Sequence, residues 1–264
     1  MSRIDDIFRD HRAAGRTALM PFLTAGYPSL DVTAQTIPAL AEVGASIVEL
    51  GIPFSDPIAD GPVIAESMHE ALLGGVTPSD VFEIVRCVRK KTRMGLIAMV
   101  SHSIVDRMGP DRFVRSAAEA GFDGLIIPDI DLDAARDVKM LTDDCDMSFS
   151  LLVAPTTGGR RLEQVIDLCS GFVYVLARVG ITGERDAAPE VTRRVEELRR
   201  ITALPLAVGF GISTAEHVTA VTESADAAIV GSALVRRMGQ ADDPVASARQ
   251  FVSGLAAGLA RHRR

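Results

Sequence analysis

Short apolar runs alternate along the chain with longer amphipathic stretches, and that alternation predicts its elements. The runs Ala18–Thr24, Ala45–Val48 leading into Glu49, Gly95–Met99, Gly124–Pro128, Ser148–Val153, Phe172–Leu176, Pro205–Val208 and Ala227–Val230 read as buried strands. Between them, apolar residues recur at helical spacing over Leu30–Glu42, Val63–Leu73, Pro78–Arg89, Asp111–Ala120, Asp131–Asp143, Arg160–Cys169, Glu190–Ile201, Thr214–Thr222 and about Pro244–Ala260. Ile4, Ile7, Phe8 and His11 share one face of a further helix at the N-terminus. Strand and helix alternate through eight units with no dividing linker. The pattern predicts one α/β domain over residues 1–264, a (β/α)8 barrel with an extra N-terminal helix and an extra helix after strand two. A doubly wound open sheet is the competing arrangement. A barrel gathers its functional loops at the C-terminal ends of the strands. Phe22, Glu49, Ser101, Asp129, Tyr174, Gly211 and Gly231–Ser232 are therefore expected at one mouth.

Composition narrows the function classes. The chain has 264 residues, 47% hydrophobic and 24% charged, with no Trp, so its core is built from Leu, Ile, Val and Ala. A net charge of −7, with no basic stripe interleaved with aromatics, argues against a nucleic-acid partner. No run approaches the roughly 18 apolar residues of a membrane span. The charged N-terminus is unlike a signal peptide. Cys87, Cys145 and Cys169 are far apart and lack metal-ligand spacing, as expected of reduced thiols in a cytoplasmic protein.

Two places carry candidate chemistry. In the first, Glu49 ends a strand and is followed by a loop to Pro62 holding three prolines and two glycines together with Asp56 and Asp60. Such a loop is shaped rather than flexible. Its carboxylates serve either a reaction or their own backbone amides. In the second, Gly209–Ser213 and Gly231–Ala233 follow the seventh and eighth strands. Glycine-rich loops at these positions bind phosphate with backbone amides at a helix N-terminus. Gly180–Gly183 is placed to close over them. His102 at a strand end reads as solvated or structural, and His11, His69 and His217 show no partner in the sequence.

On these residues the chain resembles the tryptophan synthase α subunit family, from about Ile4 to Val235. The resemblance is carried by Pro21–Pro28, Glu49–Pro62, Gly121–Ile126, Pro128–Asp129, Ala154–Thr157, Gly180–Gly183, Gly209–Ser213 and Gly231–Ala233. It implies retro-aldol cleavage of indole-3-glycerol phosphate to indole and glyceraldehyde 3-phosphate, with no cofactor of its own. It also implies a β subunit as partner, in an α2β2 assembly that makes tryptophan. Carried over, Glu49 is the general acid/base and Asp60 accepts the indole N–H. Glu49, facing an apolar mouth, is expected to have a raised pKa, and Asp60 to stay ionised. Phe22, Ile126, Tyr174 and Phe210 line the indole pocket. Gly183, Gly211, Gly231 and Ser232 hold the phosphate, and Thr182 orders the closing loop.

The chain departs from the family in two loops. Ser101-His102-Ser103 stands where the family usually has Tyr-x-Asn, and Ile130–Asp133 replaces a proline- and glutamate-bearing stretch. The small Ser101 is expected to enlarge the pocket beside the ring, and the altered loops to weaken coupling to a standard β subunit. A stand-alone lyase, a paralogue acting on a substituted indole, and a non-catalytic subunit that activates a β partner are the other readings. The retained pair Glu49 and Asp60 argues against the last.

Overall fold

In the computed structural model of the protein, residues 1–55, 61–177, 188–209 and 211–259 are described. All sheet pairings are parallel. The strands are β1 (Ala18–Thr24), β2 (Ile47–Gly51), β3 (Gly95–Met99), β4 (Gly124–Ile126), β5 (Ser148–Ser150), β6 (Leu152–Val153), β7 (Val173–Leu176), β8 (Leu206–Gly209) and β9 (Ala227–Val230). They run in the order β5-β4-β3-β2-β1-β9-β8-β7-β6. The two ends of that order, β5 and β6, are consecutive halves of the predicted fifth strand. Leu151 separates them because its N–H donates to Cys169 Sγ at 3.4 Å instead of to a strand, while its carbonyl accepts from Tyr174 N at 3.2 Å. One chain segment thus pairs with β4 through its first half and with β7 through its second, and the sheet becomes a (β/α)8 barrel.

The helices α1 (Arg3–Ala13), α2 (Leu30–Glu42), α3 (Pro62–Leu73), α4 (Pro78–Arg89), α6 (Pro110–Ala120), α7 (Leu132–Asp144), α8 (Gly159–Leu168), α9 (Ala188–Arg199), α10 (Ala215–Thr222) and α12 (Pro244–Ala256) match predicted segments within a few residues. The pattern did not predict α5 (His102–Met108) or α11 (Ser232–Gln240). α5 has seven residues and only Val105 of it is buried, too little to establish a periodicity, whereas α11 buries Leu234, Val235 and Met238 directly after a strand-end glycine loop.

Strand alternation sets two environments. Outward residues such as Leu19, Leu23, Val48, Leu50, Leu96 and Val208 pack under the helices. Inward residues, among them Met20, Ile47, Ile97, Ile126, Tyr174 and Ile229, fill the barrel. Ile4 and Phe8 of α1 plug its N-terminal end, with Phe8 5.8 Å from Phe172 between ring centroids. At that same end two carboxylates tie neighbouring strands together. Asp123 accepts from Leu96 N and pairs with Arg89 at 2.6 Å, and Asp226 accepts from Leu206 N and pairs with Arg199. The closed N-terminal end leaves the C-terminal end for function.

Candidate active site

A cavity of about 420 Å³ opens at the C-terminal end of the barrel. Phe22 on β1, Met99 on β3, Leu152 on β6, Tyr174 and Leu176 on β7 and Ile229 on β9 give it an apolar wall, joined by Ile64 of α3 and by Pro128. Two aromatic rings reach this wall because the adjacent strand carries glycine. A Cβ at Gly51 would lie 2.5 Å from Phe22 Cζ, and one at Gly209 would lie 2.9 Å from Tyr174 Cε1. The dimensions and lining suit a flat, apolar ligand part.

The ends of β8 and β9 supply the polar side of the same cavity through Gly209, Gly211, Ser213, Gly231 and Ser232. Gly211 has φ +22°. Gly231 precedes α11 without any side-chain cap. The first-turn bonds start at Leu234 N and Val235 N, both donating to Gly231 O. Ser232 and Ala233, whose amides have no intrahelical acceptor, both border the cavity. Unpaired amides at a helix start favour an anion.

Glu49 lies on β2, in register with the cavity-lining Phe22 on one side and with Ile97 on the other. Paired positions in a sheet lie about 4.8 Å apart, so its backbone is one strand away from the cavity wall. The side chain is fully buried, and neither carboxyl oxygen has a hydrogen-bond partner among the described residues. Burial without compensation disfavours the charged form and pushes the Glu49 carboxyl up from 4.5 to about 8. At neutral pH it holds its proton.

Phe22, Tyr174, Gly211, Gly231 and Ser232 thus come together around one cavity. Ile126 does not reach its wall: it is fully buried deeper in the barrel interior, and its register neighbour Met99 lines the cavity instead. Asp60, Thr182, Gly183 and Phe210 lie outside the described residues, as do Asp56 and Gly180. Gly61, the residue after Asp60 in the chain, does border the cavity. Ser101 is 3% exposed, is absent from the cavity wall and caps α5, its hydroxyl donating to Asp129 Oδ2 at 2.8 Å. The other oxygen of Asp129 accepts from His102 N at 2.8 Å, so one carboxylate holds both altered loops together. Asp131 likewise caps α7, accepting from Asp133 N and Ala134 N. Ser101 and Asp131 of the two unusual loops work as helix caps.

Sequence reasoning missed several residues of the site. Met99 and Leu152 have the inward parity of strand positions, but parity does not give depth. Ile64 belongs to a helix that looked merely structural. His217 has a partner in the site, since its Nδ1 accepts from Ser213 N at 3.3 Å. Arg236 borders the cavity from α11, an element the pattern did not reveal. Among the described residues, no cluster of three or more His, Cys, Asp or Glu could hold a metal ion. Nor is any helix among them long and apolar enough to cross a membrane.

Comparison with known proteins agrees with this geometry. A family model described as tryptophan synthase alpha chain matches residues 8–259. The tryptophan synthase alpha chain of Chloroflexus aurantiacus is 41% identical over 99% of this chain and 100% of its own. That of Halorhodospira halophila is 43% identical over 91% of this chain and 89% of its own. Among solved structures, tryptophan synthase subunit alpha from Legionella pneumophila superposes with a TM-score of 0.91 at 33% identity, covering 98% of both chains. An aminoacrylate-bound tryptophan synthase from M. tuberculosis gives 0.87 at 32% identity, over 98% of this chain and 99% of its own.

Proposed function

The chain belongs to the tryptophan synthase alpha chain family, lyases that cleave indole-3-glycerol phosphate in tryptophan biosynthesis, and from this premise we propose that Glu49 carries the proton through the reaction while Asp60 balances the charge. The observation that supports this reading is the buried carboxyl of Glu49, uncompensated and still protonated at neutral pH, one strand from the cavity wall.

The chemistry follows from that protonation state. Glu49 gives its proton to the ring carbon bearing the glycerol phosphate chain, which places positive charge on the ring nitrogen. Asp60, ionised, accepts the N–H and stabilises that charge. The Glu49 carboxylate then takes the proton of the hydroxyl beside the ring. The carbon–carbon bond breaks, its electrons return to the ring, and indole and glyceraldehyde 3-phosphate are released. Glu49 ends protonated as it began, so the cycle closes with one carboxyl serving as acid and then as base. Phe22 and Tyr174 line the ring region, while Gly211, Gly231 and Ser232 hold the phosphate with backbone amides.

The family works with a β subunit as partner. We place the β subunit of an α2β2 assembly at this end of the barrel, against the loops joined by Asp129. Replacing Glu49 by Gln keeps shape and removes the transferable proton. Cleavage is expected to fall by about 10²–10⁴-fold, with binding of the non-cleavable indole-propanol phosphate retained. Near-normal turnover in Glu49→Gln overturns the assignment.

A further inference from the structure

Among the described residues bordering the active-site cavity, Arg236 is the only one with a charged side chain. It lies on α11, four residues after Ser232. Helical side chains lean toward the N-terminus, so a residue covers the turn preceding its own Cα. Arg236 therefore covers the uncapped first turn of α11, where Ser232 and Ala233 border the cavity. Its neighbour Arg237 faces elsewhere, lying over the Phe251 ring at 4.6 Å. Arg236 has no ion pair or hydrogen bond with any described residue, in a chain of net charge −7. The opposite loop offers fewer donors than its length suggests, because the amide of Ser213 already donates to His217 Nδ1.

From this arrangement we propose that Arg236 is a substrate-binding residue that recognises the phosphate of indole-3-glycerol phosphate, adding a charged clamp to the backbone amides. This rests on the phosphate-site reading given above. A dianionic phosphate held only by neutral amides keeps its charge uncompensated, and a planar guanidinium matches two of its oxygens at once. The interaction is made equally to bound substrate and to the transition state, so it acts on KM and leaves kcat. The residue thereby sets preference for a phosphate-bearing substrate over free indole-glycerol.

The test compares Arg236→Gln, Arg236→Lys and Gly231→Val with the unaltered protein. Steady-state cleavage is measured, together with competition by glycerol 3-phosphate and by indole. For Arg236→Gln, KM and the glycerol 3-phosphate inhibition constant are expected to rise about 10-fold or more. Its kcat and its inhibition by indole should stay within twofold, and its salt sensitivity should weaken. Arg236→Lys should recover part of the loss. Arg236 is exposed, so the thermal midpoint should not move. Unchanged KM and unchanged glycerol 3-phosphate competition in Arg236→Gln, with both weakened in Gly231→Val, would overturn the role of Arg236 and leave the amide site standing. If Gly231→Val also binds glycerol 3-phosphate normally, the phosphate site itself lies elsewhere. A loss of indole binding equal to the loss of phosphate binding would show that Arg236 shapes the cavity rather than recognising the anion.

Discussion

Glu49 makes the protein's stability depend on pH in a way that a single substitution removes. The folded chain holds the Glu49 proton up to about pH 8, whereas the unfolded chain releases it near 4.5. Between those values the folded state binds the extra proton, so raising the pH favours unfolding. The loss begins near pH 4.5 and levels off above about pH 8. Its full size is roughly 5 kcal/mol, from about 1.36 kcal/mol per pH unit of difference. That is comparable to a large fraction of the net stability of an ordinary domain. Glu49→Gln fills the same space and does not ionise, so this contribution disappears. Urea unfolding of both proteins, at intervals from pH 4.5 to 9, separates the effect from every other titrating group. The stability of the unaltered protein minus that of Glu49→Gln should decline by roughly 5 kcal/mol across the range. A difference that stays constant to within about 1 kcal/mol would show that Glu49 is solvated or paired, and the reasoning from burial would be wrong.

Asp60→Asn should lower cleavage by about 10²–10⁴-fold, because an amide cannot balance positive charge at the ring nitrogen; turnover with saturating substrate checks it. Gly51→Ala places a Cβ 2.5 Å from Phe22 Cζ. It should cost about 1–3 kcal/mol and raise KM as the ring is pushed into the cavity, read by urea unfolding and steady-state kinetics. Asp123→Asn weakens the pairing with Arg89 and the bond from Leu96 N. Urea unfolding should register a loss of about 1.5–3 kcal/mol, with kcat little changed. Mixed with a β subunit from an unrelated source, the protein should show reduced or no activation of cleavage, given its altered loops at Ser101–Ser103 and Ile130–Asp133; strong activation would show those changes to be neutral.

Much of this was legible in the sequence because hydrophobic period reports burial directly. The strand ends were placed within a residue or two, and Glu49 stood out as an acid closing an apolar run. Depth was not legible. Ile126 and Met99 both face inward, but the stagger of a barrel decides which of them meets the cavity, and that is set by pairing with strands distant in the chain. The break at Leu151 was hidden for a similar reason, since the thiol that takes its amide is 18 residues away. Ser101 was read against the tyrosine it replaces. Its own chemistry, a small hydroxyl before a short helix, points to the cap it forms. His217 and Arg236 escaped notice because each gains its meaning from a turn of helix that brings it back over a glycine-rich loop.

The central claim is that one buried carboxyl, protonated at the start, carries the proton through the cleavage. The pH dependence of kcat/KM for indole-3-glycerol phosphate tests it most directly, because it reports the ionisation of essential groups in the free enzyme. Glu49 predicts a descending limb with a midpoint near pH 8, falling about tenfold per pH unit above it. A rate that holds level from pH 7 to 10 would contradict the account.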